Sequence, residues 1–186
     1  MNSFLIAIVV IAVVIVLLYN SLISKKNQVE NIYASVDTLL KKRFDLIPSL
    51  VATVQEAMKH EKSTLEEITA LRSQAMKGGI SSDQMAGIDS KLSSLLGSIM
   101  VAVEDYPELK ANENTLNLQY SLNEIEEQLS AARRAYNQVV TDFNNAIEMF
   151  PTNILAGYMH FVRKQVFVIN ESERKNPNVK ELFGKK

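Results

Sequence analysis

The sequence has no cysteine and no tryptophan, only six glycines and four prolines in 186 residues, and almost no net charge. Each shortage excludes something. Without cysteine there is no disulfide framework, no thiolate nucleophile and no cysteine-ligated zinc. A formal charge of −1 supplies no global field to draw in nucleic acid or an acidic partner, so nucleic acid is not an expected partner. Gly78-Gly79 lacks the surroundings of a phosphate-binding loop. No strand-like alternation competes with helical spacing, and no tandem repeat suggests a solenoid.

Catalytic and metal-binding groups are also scarce. The histidines are His60 and His160. His60 opens "HEKST", which is not H-E-x-x-H because position 64 is threonine. Glu-x-x-His, which a di-metal helical bundle uses, does not occur. The acids at Glu124, Glu126 and Glu127 lie mostly beside or opposite the apolar stripe of their helix and read as a solvated face. No base is placed beside a serine, threonine or tyrosine. The expectation is no catalytic residue, no cofactor and no metal.

What is present begins at residue 4. Residues 4–23 are apolar except Asn20 and Ser21, and no charged side chain precedes Lys25. Twenty helical residues reach about 30 Å, the thickness of a bilayer core. The opening "MNS" is not a basic leader, and large residues follow the run where a signal peptide needs small ones. The lipid bilayer is thus an expected partner through residues 4–23. Lys25 and Lys26 follow the span, which places the bulk of the chain in the cytoplasm by the positive-inside rule.

Beyond the anchor the apolar residues recur at three and four. Val29, Ile32, Val36, Leu39/Leu40, Ile47, Leu50/Val51, Val54 and Met58 form one stripe, with no breaker between it and the anchor. Ser63-x-x-Glu66, Thr64-x-x-Glu67 and Ser81-x-x-Gln84 each fit a capping box, and Gly78-Gly79 suits a helix end. Asp105-Tyr106-Pro107 breaks the next stripe. The last long stripe runs Ala111, Asn114, Leu118, Leu122, Ile125, Leu129, Ala132, Tyr136, Val140, Phe143, Ile147 and Phe150, close to the coiled-coil period, and Pro151 ends it. Residues 153–169 fit either a short helix or an extended segment, and the rest is a polar tail. The fold class is all-α: a single transmembrane helix (1–24) continuing into an antiparallel bundle of about four long helices (25–161), then a C-terminal segment and tail (162–186).

The stretch "KKRFDLIPSL" holds the most informative residues. At about 100° per residue, Lys41 and Lys42 point to solvent while Arg43 falls on the apolar stripe. Arg43 either snorkels to water along its stem or enters an interhelical network with Asn114, Glu113 or Glu61. Arg72 lies near the edge of its own apolar face. Pro48 has no N–H for the Phe44 carbonyl, yet the stripe keeps its phase past it, so one helix bent at this point is expected rather than two.

These residues carry a resemblance. "YNSLISKKNQVENIYASVDTLLKKRFDLIPSLVATVQ", "HEKSTLEEITALRSQA", "ENTLNLQYSLNEIEEQLSAARRAYNQVVTDFNNAIEMFP" and "NILAGYMHF" together resemble the LemA family of bacterial membrane proteins. The strongest pieces are Lys42-Arg43, Asp45 through Pro48, Glu113-Asn114, Leu118-Gln119, Ala132-Arg133, Tyr136-Asn137 and Phe150-Pro151. Departures are Tyr33 where members often have Trp, Phe44 where they often have His, and His160 where Gly is usual. The resemblance implies one membrane helix, an antiparallel helical bundle and kinship with a magnetosome membrane protein. It does not supply an enzymatic activity.

Two functions follow as expectations. One is a membrane-anchored, non-enzymatic scaffold that self-associates as a homo-oligomer or holds protein partners, with Leu109, Leu116 and Tyr120 as apolar positions off the main stripe. The alternative is a membrane or envelope remodelling factor acting through lipid contact or curvature. The interaction candidates are Arg43, Asp45, Pro48, Arg72, Glu113, Asn114, Tyr136 and Asn137.

Overall fold

In the computed structural model, residues 2–77 and 79–167 are described, with the side chains of Asn2, Ser82 and Asp83 left aside. The polar tail therefore lies outside the described residues. Among them every regular element is helical: α1 (Asn2–Val54), a 3-10 turn (Lys59–Glu61), α2 (Lys62–Ala75), α3 (Ser82–Val103), α4 (Pro107–Lys110), α5 (Glu113–Glu148) and α6 (Thr152–Tyr158).

The unbroken apolar pattern of residues 4–54 produces a single 53-residue helix, α1. Its first part is long and apolar enough to cross a membrane, and nearly all of it stands clear of the rest of the protein. Burial begins at Leu22 and continues through Val29, Val36, Leu40, Phe44, Ile47, Leu50 and Val54. Those steps of three, four and seven are one helical face. Each such side chain removed from water contributes about 1.5–3 kcal/mol, so this face anchors the whole bundle. Pro48 sits inside α1, which runs through it with no loop.

Direction follows from the cross-contacts. Tyr33 on α1 packs on Tyr136 of α5, with ring centroids 5.8 Å apart. Ten residues further along α1, Arg43 meets Glu126, ten residues back on α5. α5 is therefore antiparallel to α1 in constant register. Arg72 reaches Phe44, and Leu65 shares a groove with Val51, so α2 is also antiparallel to α1. Lys91 pairs with Glu67, and the Tyr106 hydroxyl donates to Glu61, which turns α3 antiparallel to α2. The result is an up-down-up-down bundle.

On α5 the buried residues Thr115, Leu122, Leu129, Tyr136 and Phe143 are spaced by seven, joined by Val140, Asn144 and Ile147. This is the coiled-coil period. It corrects the stripe at both ends: Ala111, Asn114 and Phe150 are exposed. Asn112 is the N-cap and its Oδ1 accepts from the backbone N–H groups of Asn114 and Thr115. The heptad phase passes through Thr115, which turns Asn114 outward.

The capping boxes divide similarly. Ser81 and Gln84 form theirs, with Gln84 N donating to Ser81 Oγ at 3.3 Å and Ser81 N to Gln84 Oε1 at 3.1 Å. Ser63 and Thr64 do not cap α2, which starts earlier, at Lys62, directly from the 3-10 turn. Glu61 holds the cap position without a side-chain cap bond, because its carboxylate is taken by Tyr106.

Candidate functional site: a buried charge cluster beside an asparagine clamp

The inward arginine of α1 is Arg43, only 4 % exposed. It does not snorkel. Its Nη1 donates to Asp89 Oδ1 at 3.0 Å and to Ser93 Oγ at 2.8 Å, and lies 3.0 Å from Glu126 Oε2. Ser93 Oγ in turn donates to the Asp89 carbonyl at 3.0 Å. Arg133, one heptad beyond Glu126, completes the set: it pairs with Asp89 Oδ2, and its Nη1 donates to Glu126 Oε1 at 3.3 Å. Two cations and two anions from α1, α3 and α5 thus close on one another with no net charge.

The expected partners of Arg43 are therefore corrected. Asn114 and Glu113 sit exposed at the start of α5, a long way along the helix from Glu126. Glu61 belongs to the turn before α2 and holds Tyr106. Asp89 was legible as an acid inside the α3 stripe, one residue after Ile88. Its significance comes only from packing that places it opposite Arg43. The helical phase of α5 puts Glu126 on a solvated face. It is half-buried, whereas Glu124 and Glu127 are exposed.

Burial dominates the Asp89 carboxyl and pushes it above the ordinary aspartate range, while Arg133 and Arg43 pull the other way and Glu126 adds to the rise. Arg43 Nε is buried without an acceptor among the described residues. A buried ion cluster of this kind adds little net stability against a well-packed apolar alternative. Removing one member is costly, because the buried Arg43 or Asp89 then keeps fewer partners than its burial requires. The arrangement specifies which helix faces meet and in what register.

One turn further along α1, Pro48 deprives the Phe44 carbonyl of its helical partner. Arg72 Nε of α2 donates to that carbonyl at 2.9 Å. Asp45 takes no part: it is exposed, accepts from Lys41 at 2.6 Å, and lines an open groove with Lys42, Ser121 and Glu124.

Below the charge cluster, Asn137 and Asn144 form a second device. Asn137 donates from Nδ2 to the Phe167 carbonyl at 2.9 Å and accepts from Phe167 N at 2.7 Å. Asn144 does the same with Lys164, at 2.9 Å in both directions. Seven helical residues advance about 10.5 Å, and three extended residues about 10 Å. The two amides therefore match the backbone of residues 164 and 167 and hold it as a strand would. Tyr136 is buried between Tyr33 and Phe167, and Phe143 packs on Phe161. Of residues 153–169, those up to 167 resolve into both expected forms, a short helix and then an extended segment, while 168 and 169 lie outside the described residues. At the junction, His160 has φ 54°. Phe161 N donates to Ala156 O and His160 N to Gly157 O, a Schellman ending in which a left-handed residue is required. That explains why glycine suits this position.

Among the described residues no group of three or more His, Cys, Asp and Glu is placed to hold a metal ion. His60 is exposed on the 3-10 turn.

Comparison with known proteins agrees with this architecture. The profile of the LemA family matches residues 32–180. Protein LemA of Metamycoplasma hominis is 26% identical over 163 residues, covering 88% of this chain and 74% of that protein. Magnetosome protein MamQ 2 of Paramagnetospirillum magneticum is 30% identical over 83 residues, covering 45% of this chain and 30% of that protein. Magnetosome protein MamQ of Magnetospirillum gryphiswaldense is 28% identical over 83 residues, again 30% of its length.

Proposed function

The chain belongs to the LemA family, and from that premise we propose that this membrane-anchored helical protein is a non-enzymatic scaffold, holding protein partners or further copies of itself at a fixed stand-off from the bilayer. The observation that carries this reading is the continuity of α1. One helix runs from the apolar anchor to the far end of the bundle without a linker. A bundle built on such a rod moves with the anchor, which suits positioning better than capture at a distance. The charge cluster supports the non-enzymatic part: the buried Arg43 and Asp89 are engaged with each other and with the part-exposed Glu126 and Arg133. Lys25 and Lys26 after the span favour a cytoplasmic bundle.

Surfaces for protein partners are available away from the membrane. Leu116 and Tyr120 are exposed on α5, while Leu109 is part of the core. Remodelling through Lys41 and Lys42 is less favoured. On a straight α1 they stand about 27 Å beyond the apolar run, more than two Debye lengths, and Lys41 is paired with Asp45.

The test uses the full chain in lipid nanodiscs, with a photoreactive amino acid at Tyr120 or Leu116 and light scattering in parallel. A discrete, saturable cross-link from these positions, to a second copy or to one protein species, is expected. Absence of any such adduct, together with a monomer at every concentration, overturns the scaffold reading.

A further inference from the structure

Among the described residues, exposed large apolar side chains outside the anchor cluster at the corner between α5 and α6. Met149 is 63%, Phe150 79%, Ile154 66%, Tyr158 86% and Val162 75% exposed. Ile154 and Tyr158, four residues apart on α6, share its outward face, with Phe150 exposed in the turn just before it, while Leu155, Ala156 and Met159 pack inward on the core. A ridge of this size, bare on a water-facing protein, marks a contact surface.

Its height along α1 identifies what it meets. The register fixed by Tyr33–Tyr136 and Arg43–Glu126, carried eleven residues further down, puts Leu22 opposite Ile147. Both are buried, as that pairing requires. α5 ends one residue later, at Glu148, and α6 packs against α1 there. The extended segment then climbs away, with Phe161 at Phe143 and Phe167 at Tyr136. α6 is therefore the lowest part of the bundle, level with the last turns of the apolar run. Leu18 and Leu22, inside that run, are partly or wholly covered by protein. If residues 4–23 span the hydrocarbon, the corner cannot stand clear of the bilayer.

Charge agrees. No acidic residue precedes Glu30, and none lies between Glu148 and Phe167. The cations at this level are Lys25, Lys26, Arg163 and Lys164, with Arg163 joined to Glu148 and Lys26 to Glu30. Aromatic side chains beside cations are the composition of a membrane–water interface.

We propose that the α5–α6 corner is a second membrane contact, with Phe150, Ile154 and Tyr158 seated among the headgroups and upper acyl chains of the bilayer that α1 enters. The occupant of this surface is lipid, continuous with the lipid around α1. Two adjacent points of attachment, α1 and α6, constrain the tilt of the bundle as well as its distance, which a single helix does not. The inference rests on the anchor and the register of α5, and it stands whether or not the bundle binds protein partners.

The absence of native tryptophan makes the test direct. Single variants Phe150→Trp, Ile154→Trp, Tyr19→Trp and Tyr120→Trp of the full chain are reconstituted into liposomes containing one quarter anionic lipid. Their fluorescence is read with nitroxide-labelled phospholipids as quenchers. Tyr19→Trp reports the anchor, and Tyr120→Trp reports α5 far from the membrane. Quenching of Phe150→Trp and Ile154→Trp to at least half the extent of Tyr19→Trp, with Tyr120→Trp unquenched, is the expected result. Unquenched, water-like emission at positions 150 and 154 overturns the proposal. So does blue-shifted emission there without lipid quenching, which means that protein covers the ridge instead.

Discussion

Arg72 Nε donates at 2.9 Å to the carbonyl of Phe44, the one carbonyl of α1 that Pro48 leaves without its helical N–H. The proline in mid-helix and the arginine at the edge of α2 are thus parts of one device. α1 continues through the proline because a neighbouring helix supplies the missing donor. Arg72→Met is expected to destabilise the fold by about 2 kcal/mol, since a part-buried carbonyl loses a charged donor. In a Pro48→Ala background, where a backbone N–H is restored, the same substitution should cost about 1 kcal/mol less. Thermal unfolding of the four variants in detergent micelles, followed by circular dichroism, measures this coupling. Equal losses in both backgrounds would contradict the pairing.

The charge cluster predicts a stronger coupling between Arg43 and Asp89. Arg43→Met alone should cost about 3 kcal/mol, because the buried Asp89 carboxylate is left with Arg133 as its one cationic partner. Arg43→Met combined with Asp89→Leu should cost less than the two single losses added, by about 1–3 kcal/mol. Chemical unfolding of the same micellar protein reads the cycle, and simple additivity would show that the two residues act apart.

Asp89 also predicts a pH dependence. Its folded carboxyl titrates above the ordinary value of 3.8, so the folded chain holds this proton more tightly than the unfolded chain. The contribution of Asp89 to stability is therefore full below the unfolded value. It falls as pH rises through the folded value and is level beyond. Arg133→Gln removes the largest opposing influence and should move the levelling-off to higher pH. Carbon-13 NMR of the Asp89 carboxyl follows the titration directly. A folded value below the ordinary range would refute the dominance of burial.

Asn137 and Asn144 predict a release. Each loses both bonds to the extended segment on substitution by leucine. The double variant Asn137→Leu/Asn144→Leu should expose Arg163 and Lys164 to trypsin several-fold faster while α5 stays helical. Unchanged cleavage kinetics would mean that Phe161, Phe167 and the Arg163–Glu148 pair hold the segment without the asparagines.

Much of this was legible in sequence, and the failures have physical causes. Helical spacing gave α1 through its proline, the inward Arg43 and the heptads of α5, because one periodic face is a local property. Ser81–Gln84 was read correctly, as a cap closed within four residues. Ser63 and Thr64 fit the capping pattern but do not cap, because the 3-10 turn starts α2 at Lys62, two residues before a Ser63 cap would. Asn114 was placed inward because the stripe was extended past the last true heptad position, Thr115. Asp89 and Glu126 could not be matched to Arg43 from spacing, since they lie 46 and 83 residues away and only the packing of α3 and α5 on α1 joins them. The roles of Asn137 and Asn144 depend on a strand segment whose path the sequence left open.

The rigid stand-off rests on α1 being one helix from membrane to bundle, and the absence of native cysteine allows it to be measured cleanly. Spin labels on Leu17→Cys and Ala52→Cys, both exposed positions on α1, should lie about 52 Å apart along the axis. Double electron–electron resonance of the full chain in nanodiscs is expected to give a single narrow distribution near that distance. A broad distribution, or a mean many ångströms shorter, would show a hinge between anchor and bundle and contradict the account.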